Sequence, residues 1–184
     1  RSTLFPYTTL FRSLELKNHG NKLGRFTEVI TEATDEMQYF VLFFAILILD
    51  QVSKEMIHLN MSLGESNAVL DDIFHITYIR NTGAAFSILN QHTVFLGVFA
   101  GIMVVTILVF VFLKRKKVHF MMLTALIMIA AGGTGNVIDR LMRGYVIDFF
   151  DFRIFPVFNI ADIFVTVGCV FLAVYVLFLD RKKA

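Results

Sequence analysis

Residues 93–113, TVFLGVFAGIMVVTILVFVFL, run without a charge into Lys114, Arg115, Lys116 and Lys117. A helix on a soluble bundle carries a polar stripe every three to four residues, and this stretch has none. A bilayer core about 30 Å thick takes about 20 apolar helical residues to cross, so the stretch reads as a membrane span. Three further segments qualify: about Tyr39 to Ile57, Val118 to about Leu141, and Asn159 to Leu179. The composition agrees. The 184 residues are 57% hydrophobic, where a soluble domain holds roughly 45–50%, and the mean hydropathy is +0.69. Twenty-one Phe against two Pro favour long apolar helices over loops.

Orientation follows from the basic residues. The run Lys114 to Lys117 fills the tight connection between the second and third spans, and Arg181, Lys182 and Lys183 follow the fourth. Both clusters belong on the cytoplasmic side, so an even number of spans places both termini there. The segments from about 58 to 92 and from 142 to 158 then face outward. In the first of these, Phe74-His75-Ile76-Thr77-Tyr78-Ile79 mixes β-branched and aromatic residues at period two, which predicts a strand. Asn81-Thr82-Gly83 turns the chain after it. The expected fold is an all-α membrane protein with four transmembrane helices and a small extracytoplasmic β-sheet region lying on the bilayer.

Residues 1–13, RSTLFPYTTLFRS, have neither helical nor strand periodicity and are set aside as a leader foreign to the fold. Residues 14–38 are polar and mixed in charge. The expected division is a non-core extension over 1–38 and a four-span domain over 39–184. A net charge of +2 gives no argument for a nucleic-acid partner. The single Cys169, inside an apolar run, leaves no intrachain disulfide and no Cys-rich metal site.

Ionisable groups inside spans are costly and mark functional sites by default. Asp50 and Lys54 stand four apart, on one helix face, where an internal ion pair is the plain reading. The third span ends in Gly132-Gly133-Thr134-Gly135-Asn136-Val137-Ile138-Asp139-Arg140. Its glycines suit close helix packing, but packing does not explain Asn136 and Asp139 on one face. Asp148 lies between Ile147 and Phe149 in an apolar stretch. Asp162 falls in the first turn of the fourth span, where the helix dipole favours a carboxylate.

Two carboxylates in a partly dry site cannot both ionise easily, so they share a proton. One can then activate water while the other protonates the scissile carbonyl, which is aspartic-peptidase chemistry. Asp162 is one candidate. For its partner the residues alone leave Asp139 and Asp148 open, with periodicity marginally favouring Asp139. Rival hydrolytic chemistries lack their motifs. There is no H-E-x-x-H helix and no G-x-S-x-G elbow; His58, His75, His92 and His119 are scattered, and Cys169 reads as packing. No metal and no cofactor is expected. A small four-span transporter or channel using buried carboxylates is the alternative, although it should place ionisable groups along the whole path.

At these residues the sequence resembles lipoprotein signal peptidase, also called signal peptidase II. The pieces that carry the resemblance are Leu49-Asp50-Gln51-Val52-Ser53-Lys54, Arg80-Asn81-Thr82-Gly83-Ala84-Ala85-Phe86, Gly132 to Arg140, Val146-Ile147-Asp148-Phe149 and Phe158-Asn159-Ile160-Ala161-Asp162. They stand in the family's order and cover the chain from about residue 39 to 179. The resemblance implies an aspartyl endopeptidase of the bacterial inner or cytoplasmic membrane, working near the outer face. It implies diacylglyceryl-modified prolipoproteins as substrates, cut before the lipidated Cys, and cyclic peptides as inhibitors, with membrane lipids around the enzyme. The family's dyad maps onto Asp148 and Asp162. Its supporting positions map onto Asp50, Lys54, Asn81, Gly83, Asn136, Asp139, Arg140, Asn159 and Ala161. Asn81 to Phe86 would clamp the peptide above the dyad. Two departures stand out: the stretch from Asp148 to Asp162 is a few residues shorter than in many members, and residues 1–38 have no counterpart.

Overall fold

The computed structural model describes residues 37–83 and 93–179. The chain divides into a unit of residues 1–40, described only from residue 37, and a unit of residues 41–184, to which the packing discussed below belongs. Helix α1 covers residues 37–60. Strands β1 (Ser66–Leu70) and β2 (Phe74–Asn81) follow. Then come helices α2 (Thr93–Lys114) and α3 (Phe120–Met142), strand β3 (Val146–Asp151) and helix α4 (Ile160–Val174). The last helix passes into a π-helical stretch, Tyr175–Leu179.

Thr93–Lys114, Phe120–Met142 and Ile160–Leu179 are long and apolar enough to cross a membrane. The expected boundaries of these spans agree within a few residues. Helix α3 is the inner one. It carries most of the buried helical side chains, from Leu123 to Asp139, whereas α2 exposes Val94, Phe95, Val98, Phe99, Ile102 and others along its length. Such an outward apolar surface suits lipid contact, and the contacts between helices then rest on close packing of small residues. Gly132 is where α3 meets α4: a Cβ there would lie 2.5 Å from the Ala161 carbonyl oxygen. Helix α1 joins the same interior through Ile46, which packs on Met128 and Ala131, with Phe164 and Val167 of α4 alongside.

The three strands form one antiparallel sheet in the order β1-β2-β3. Strand β2 is the one its period-two pattern predicts; β1 and β3 are additional to it. Strand β3 reads as an unbroken apolar stretch around Asp148 because both of its faces are covered: Val146, Ile147, Asp148 and Phe149 are all buried. With no exposed face there is no alternation to read. Tyr78, Ile147 and Phe149 form the core beneath the sheet, closed by Ile57 and Met61 of the α1 end, Tyr145 and Ile160. The expected peptide clamp at Ala84, Ala85 and Phe86, and the basic run Arg181 to Lys183, lie outside the described residues.

Candidate active site

The site begins with one stripe of α1. Asp50, Lys54 and His58 recur every four residues and therefore share a face. Each serves a different neighbour. The Asp50 carboxylate accepts from the Ala161 main-chain N–H at 2.9 Å, tying α1 to the first turn of α4. Gln51 donates to the same carboxylate (3.1 Å) and to the Gly135 carbonyl (3.2 Å). Gly135 must be glycine here, since a Cβ would collide with Asp50 Oδ2. Lys54 Nζ reaches three acceptors: Asp50 Oδ2 at 2.8 Å, Asp139 Oδ2 at 3.0 Å and Asn136 Oδ1 at 3.0 Å. The Asp50, Lys54 and Asp139 side chains are all 0% exposed. Buried charges persist only when paired and hydrogen-bonded, and this triad meets that condition. The plain ion-pair reading of Asp50 and Lys54 therefore holds, with Asp139 added to it.

That placement separates the rival carboxylates. Asp139 lies against Lys54, with Arg143 Nε 3.6 Å from its other oxygen. Among the described residues no ion pair reaches Asp148 or Asp162. Strand pairing and helix capping bring those two together instead. Asp148 sits in β3 opposite Ile79, so Asn81, two residues on, is its diagonal neighbour on the same face. Asn81 Nδ2 donates to Asp148 Oδ2 at 3.0 Å, while Asn81 Oδ1 accepts from the Gly83 N–H at 3.1 Å. The Gly83 contact fixes which end of the amide faces Asp148. Asp162 is the third residue of α4 and closes a capping box with Asn159. The Asp162 N–H donates to Asn159 Oδ1 (3.0 Å), and the Asn159 N–H donates back to Asp162 Oδ2 (3.2 Å).

Asn159, fully buried, is the joint between the two carboxylates. Its side-chain amide donates to Asp148 Oδ1 at 2.7 Å while its main-chain N–H holds Asp162. The same amide reaches Asn136 Oδ1 at 3.1 Å, and Asn136 Nδ2 donates to Asp162 Oδ1 at 2.8 Å. Asn136 thus joins the Lys54 triad to Asp162. Arg140 lies within electrostatic reach of Asp162, Asp148 and Asp139, and its Nε is buried without a hydrogen bond among the described residues. Asp148 is 3% exposed, and Asp162 is the more open of the two. Burial first, and the Asp162 charge second, push the Asp148 carboxyl up to about 7, against the pull of the Asn81 and Asn159 amides. A carboxyl that keeps its proton near neutrality, beside a second that receives only N–H donors, can divide acid and base roles between them. Among the described residues no cluster of three His, Cys, Asp or Glu side chains is placed to hold a metal ion.

All eleven residues singled out from the sequence enter this one network or its immediate supports. Gln51 was not among them; a polar residue next to Asp50 on an otherwise apolar turn was the available signal. Nor was Tyr78, whose buried hydroxyl no sequence pattern marks.

Comparison with known proteins identifies the family. Residues 42–178 match the family model described as signal peptidase (SPase) II. The lipoprotein signal peptidase of Clostridioides difficile (strain 630) is 40% identical over 150 residues, covering 80% of this chain and 99% of that protein. That of Staphylococcus carnosus (strain TM300) is 41% identical over 143 residues, covering 76% and 89%. A solved bacterial membrane enzyme superposes with a TM-score of 0.73 at 33% identity, over 80% of this chain and 92% of that one. A model match across most of the chain, and relatives matched over nearly their whole length, lead to one conclusion: this chain belongs to the signal peptidase II family.

Proposed function

We propose that Asp148 and Asp162 are the catalytic dyad of a membrane-embedded aspartyl endopeptidase. It removes signal peptides from diacylglyceryl-modified prolipoproteins and cuts before the lipidated Cys. The peptidase activity and the prolipoprotein substrate class follow from the family and from relatives that are lipoprotein signal peptidases. The transporter alternative finds no support in them. One observation carries the choice of dyad: Asn159 bonds Asp148 with its side chain and Asp162 with its backbone, and among the described residues neither carboxylate is in a salt bridge.

In this mechanism the pair shares one proton, which resides on the sealed Asp148. Asp162, the more open member, takes a proton from a water as that water attacks the scissile carbonyl carbon. Asp148 gives its proton to the carbonyl oxygen, and the tetrahedral intermediate forms. On collapse, Asp162 returns its proton to the leaving nitrogen, the C–N bond breaks, and Asp148 recovers the hydroxyl proton. Asn136 and Asn159 hold the carboxylates in place without neutralising them. Arg140, with an unsatisfied Nε, is positioned to support the developing oxyanion.

The family and the apolar faces of the described helices support a multi-pass enzyme of a bacterial cell membrane. The α1 helix supplies a fourth span, its Asp50–Lys54 stripe turned to the bundle interior and its lipid side carrying Phe40, Val41, Phe44, Ile48 and Val52. Both termini are cytoplasmic, the sheet is extracytoplasmic, and the dyad lies near the outer face, where the lipidated Cys leaves its acyl chains in the surrounding lipid. No cofactor is needed, and cyclic peptides that inhibit the family should inhibit this enzyme. The decisive experiment is Asp162→Asn assayed on a lipidated precursor in detergent. The variant should insert and fold normally yet lose cleavage; retained cleavage defeats the assignment.

A further inference from the structure

The sheet is irregular at one place, and it is the place where the site is assembled. Between β2 and β3 the pairing runs His75↔Asp151 and Ile76↔Phe150, then resumes at Ile79↔Asp148, Arg80↔Ile147 and Asn81↔Val146. Thr77 and Tyr78 therefore stand together against Phe149. An extra residue of this kind reverses the facing of everything beyond it. Without it, Asn81 would turn to the opposite face from Asp148. On the other edge of β3, the consecutive N–H groups of Phe149 and Phe150 both donate to the Phe158 carbonyl, at 3.0 and 2.8 Å. Two neighbouring donors on one acceptor are again the mark of a bulge, and Phe158 immediately precedes Asn159. Phe149 is thus out of step on both sides: one side aims Asn81 and the other delivers Asn159, the two residues that bond Asp148.

A bulge of this kind costs ladder bonds and has to be held. Tyr78 holds it. Its ring is buried in the core under the sheet, and its backbone pairs with Glu65 and Gly64 at 2.9 Å each. Its hydroxyl lies 2.9 Å from His58 Nδ1 on the α1 stripe and accepts from Arg80 Nε at 2.9 Å. The Arg80 guanidinium in turn lies over the Tyr145 ring, 4.6 Å from its centre. Tyr145 precedes Val146, the partner of Asn81. Across the bulge, Thr77 Oγ1 adds a bond to Asp151 at 2.8 Å. We propose that Tyr78 is a positioning residue of the peptidase: through Arg80 and Tyr145 it fixes the β2–β3 bulge so that Asn81 faces Asp148. The proposal rests on the dyad reading above.

The test uses the full chain in detergent with a lipidated precursor and follows kcat and KM against pH for Tyr78→Phe, Asn81→Ala and the double variant. Tyr78→Phe should lower kcat about ten- to a hundredfold, as small misplacements near a reacting centre do, with KM held within about twofold. It should also move the pH limb of Asp148 upward, because the Asn81 bond that holds this carboxyl down is loosened. In the double variant the limb should stay where Asn81→Ala alone puts it, since both changes act through one contact. An unmoved limb in Tyr78→Phe, or a double-variant displacement equal to both single effects together, overturns the proposal. If Tyr78→Phe does not accumulate, Arg80→Gln cuts the same link from an exposed position and is read the same way. Failure of the dyad itself looks different: Asp148→Asn retains cleavage, or the unaltered enzyme has no limb near pH 7.

Discussion

Replacing Asp148 by Asn should abolish cleavage and, at neutral pH and above, make the protein more stable. The carboxyl is pushed from 3.8 to about 7 in the folded site. Ionising it there therefore costs about 4 kcal/mol more than ionising it in the unfolded chain. The sign follows from the protons bound. Between pH 3.8 and about 7 the folded protein holds a proton that the unfolded chain has released. Raising the pH through this window therefore drains stability from the unaltered enzyme, and the loss levels off above pH 7. An Asn at this position has no such loss. Against the gain stands one hydrogen bond: Asn81 and Asn159 donate to different oxygens of Asp148, and an amide replaces one of those oxygens with an NH2 group, which costs about 1 kcal/mol. The net advantage of the variant at pH 8 is then about 3 kcal/mol. At roughly 2–4 °C per kcal/mol for a chain of this size, its melting temperature should be about 6–12 °C higher. Thermal unfolding in detergent from pH 5 to pH 8, run side by side, measures it. A variant no more stable than its parent at pH 8, or a gap that does not widen as the pH rises, refutes the electrostatic account of Asp148.

Cleavage by the unaltered enzyme should fall as pH rises through about 7, where Asp148 loses the shared proton, and a kcat/KM profile flat from pH 6 to pH 9 would contradict this. Lys54→Met leaves Asp50 and Asp139 buried without their cation. It should destabilise the fold by about 3–5 kcal/mol, read as a drop in melting temperature and in the yield of monodisperse protein. Gly135→Ala drives a methyl group into Asp50 and should break the Asp50–Ala161 bond that seats α4. A loss of cleavage of about a hundredfold is expected. Gly101→Ala, whose added carbon meets only Val137 Cγ1 at 3.7 Å, should be neutral in the same assay.

The spans were legible because lipid leaves no room for ambiguity: an unbroken apolar run such as Thr93–Leu113 has no soluble alternative of comparable stability. Asp50 and Lys54 were legible for the same reason, as charges where charges are costly. The choice between Asp139 and Asp148 was not. Helical periodicity reports which residues share a face of one helix, so it put Asp139 beside Asn136. It carries no information on Lys54, which arrives from α1 and binds Asp139. Asp148 owes its place to a strand that shows no alternation and to a bulge whose presence depends on contacts far apart in the chain. Only the resemblance to known peptidases singled it out. Asp162 had a sufficient local explanation as a capping residue, and it does cap; the catalytic role proposed for it depends on what Asn136 and Asn159 bring to it.

The two asparagines explain how a lysine can sit so near the proposed proton-sharing pair without abolishing it. A cation in contact with Asp148 or Asp162 would hold both carboxylates ionised and remove the shared proton. Lys54 instead spends its donors on Asp50, Asp139 and Asn136 Oδ1. Asn136 and Asn159 pass on a weaker, neutral version of that charge, with amide hydrogens directed at Asp162 and Asp148. An amide can do this because it accepts at one end and donates at the other. Aspartate in either place would add a third acid to the pair, and a hydroxyl could not span both neighbours. The charge that stabilises the bundle and the proton that would serve the proposed chemistry are thus kept one side chain apart.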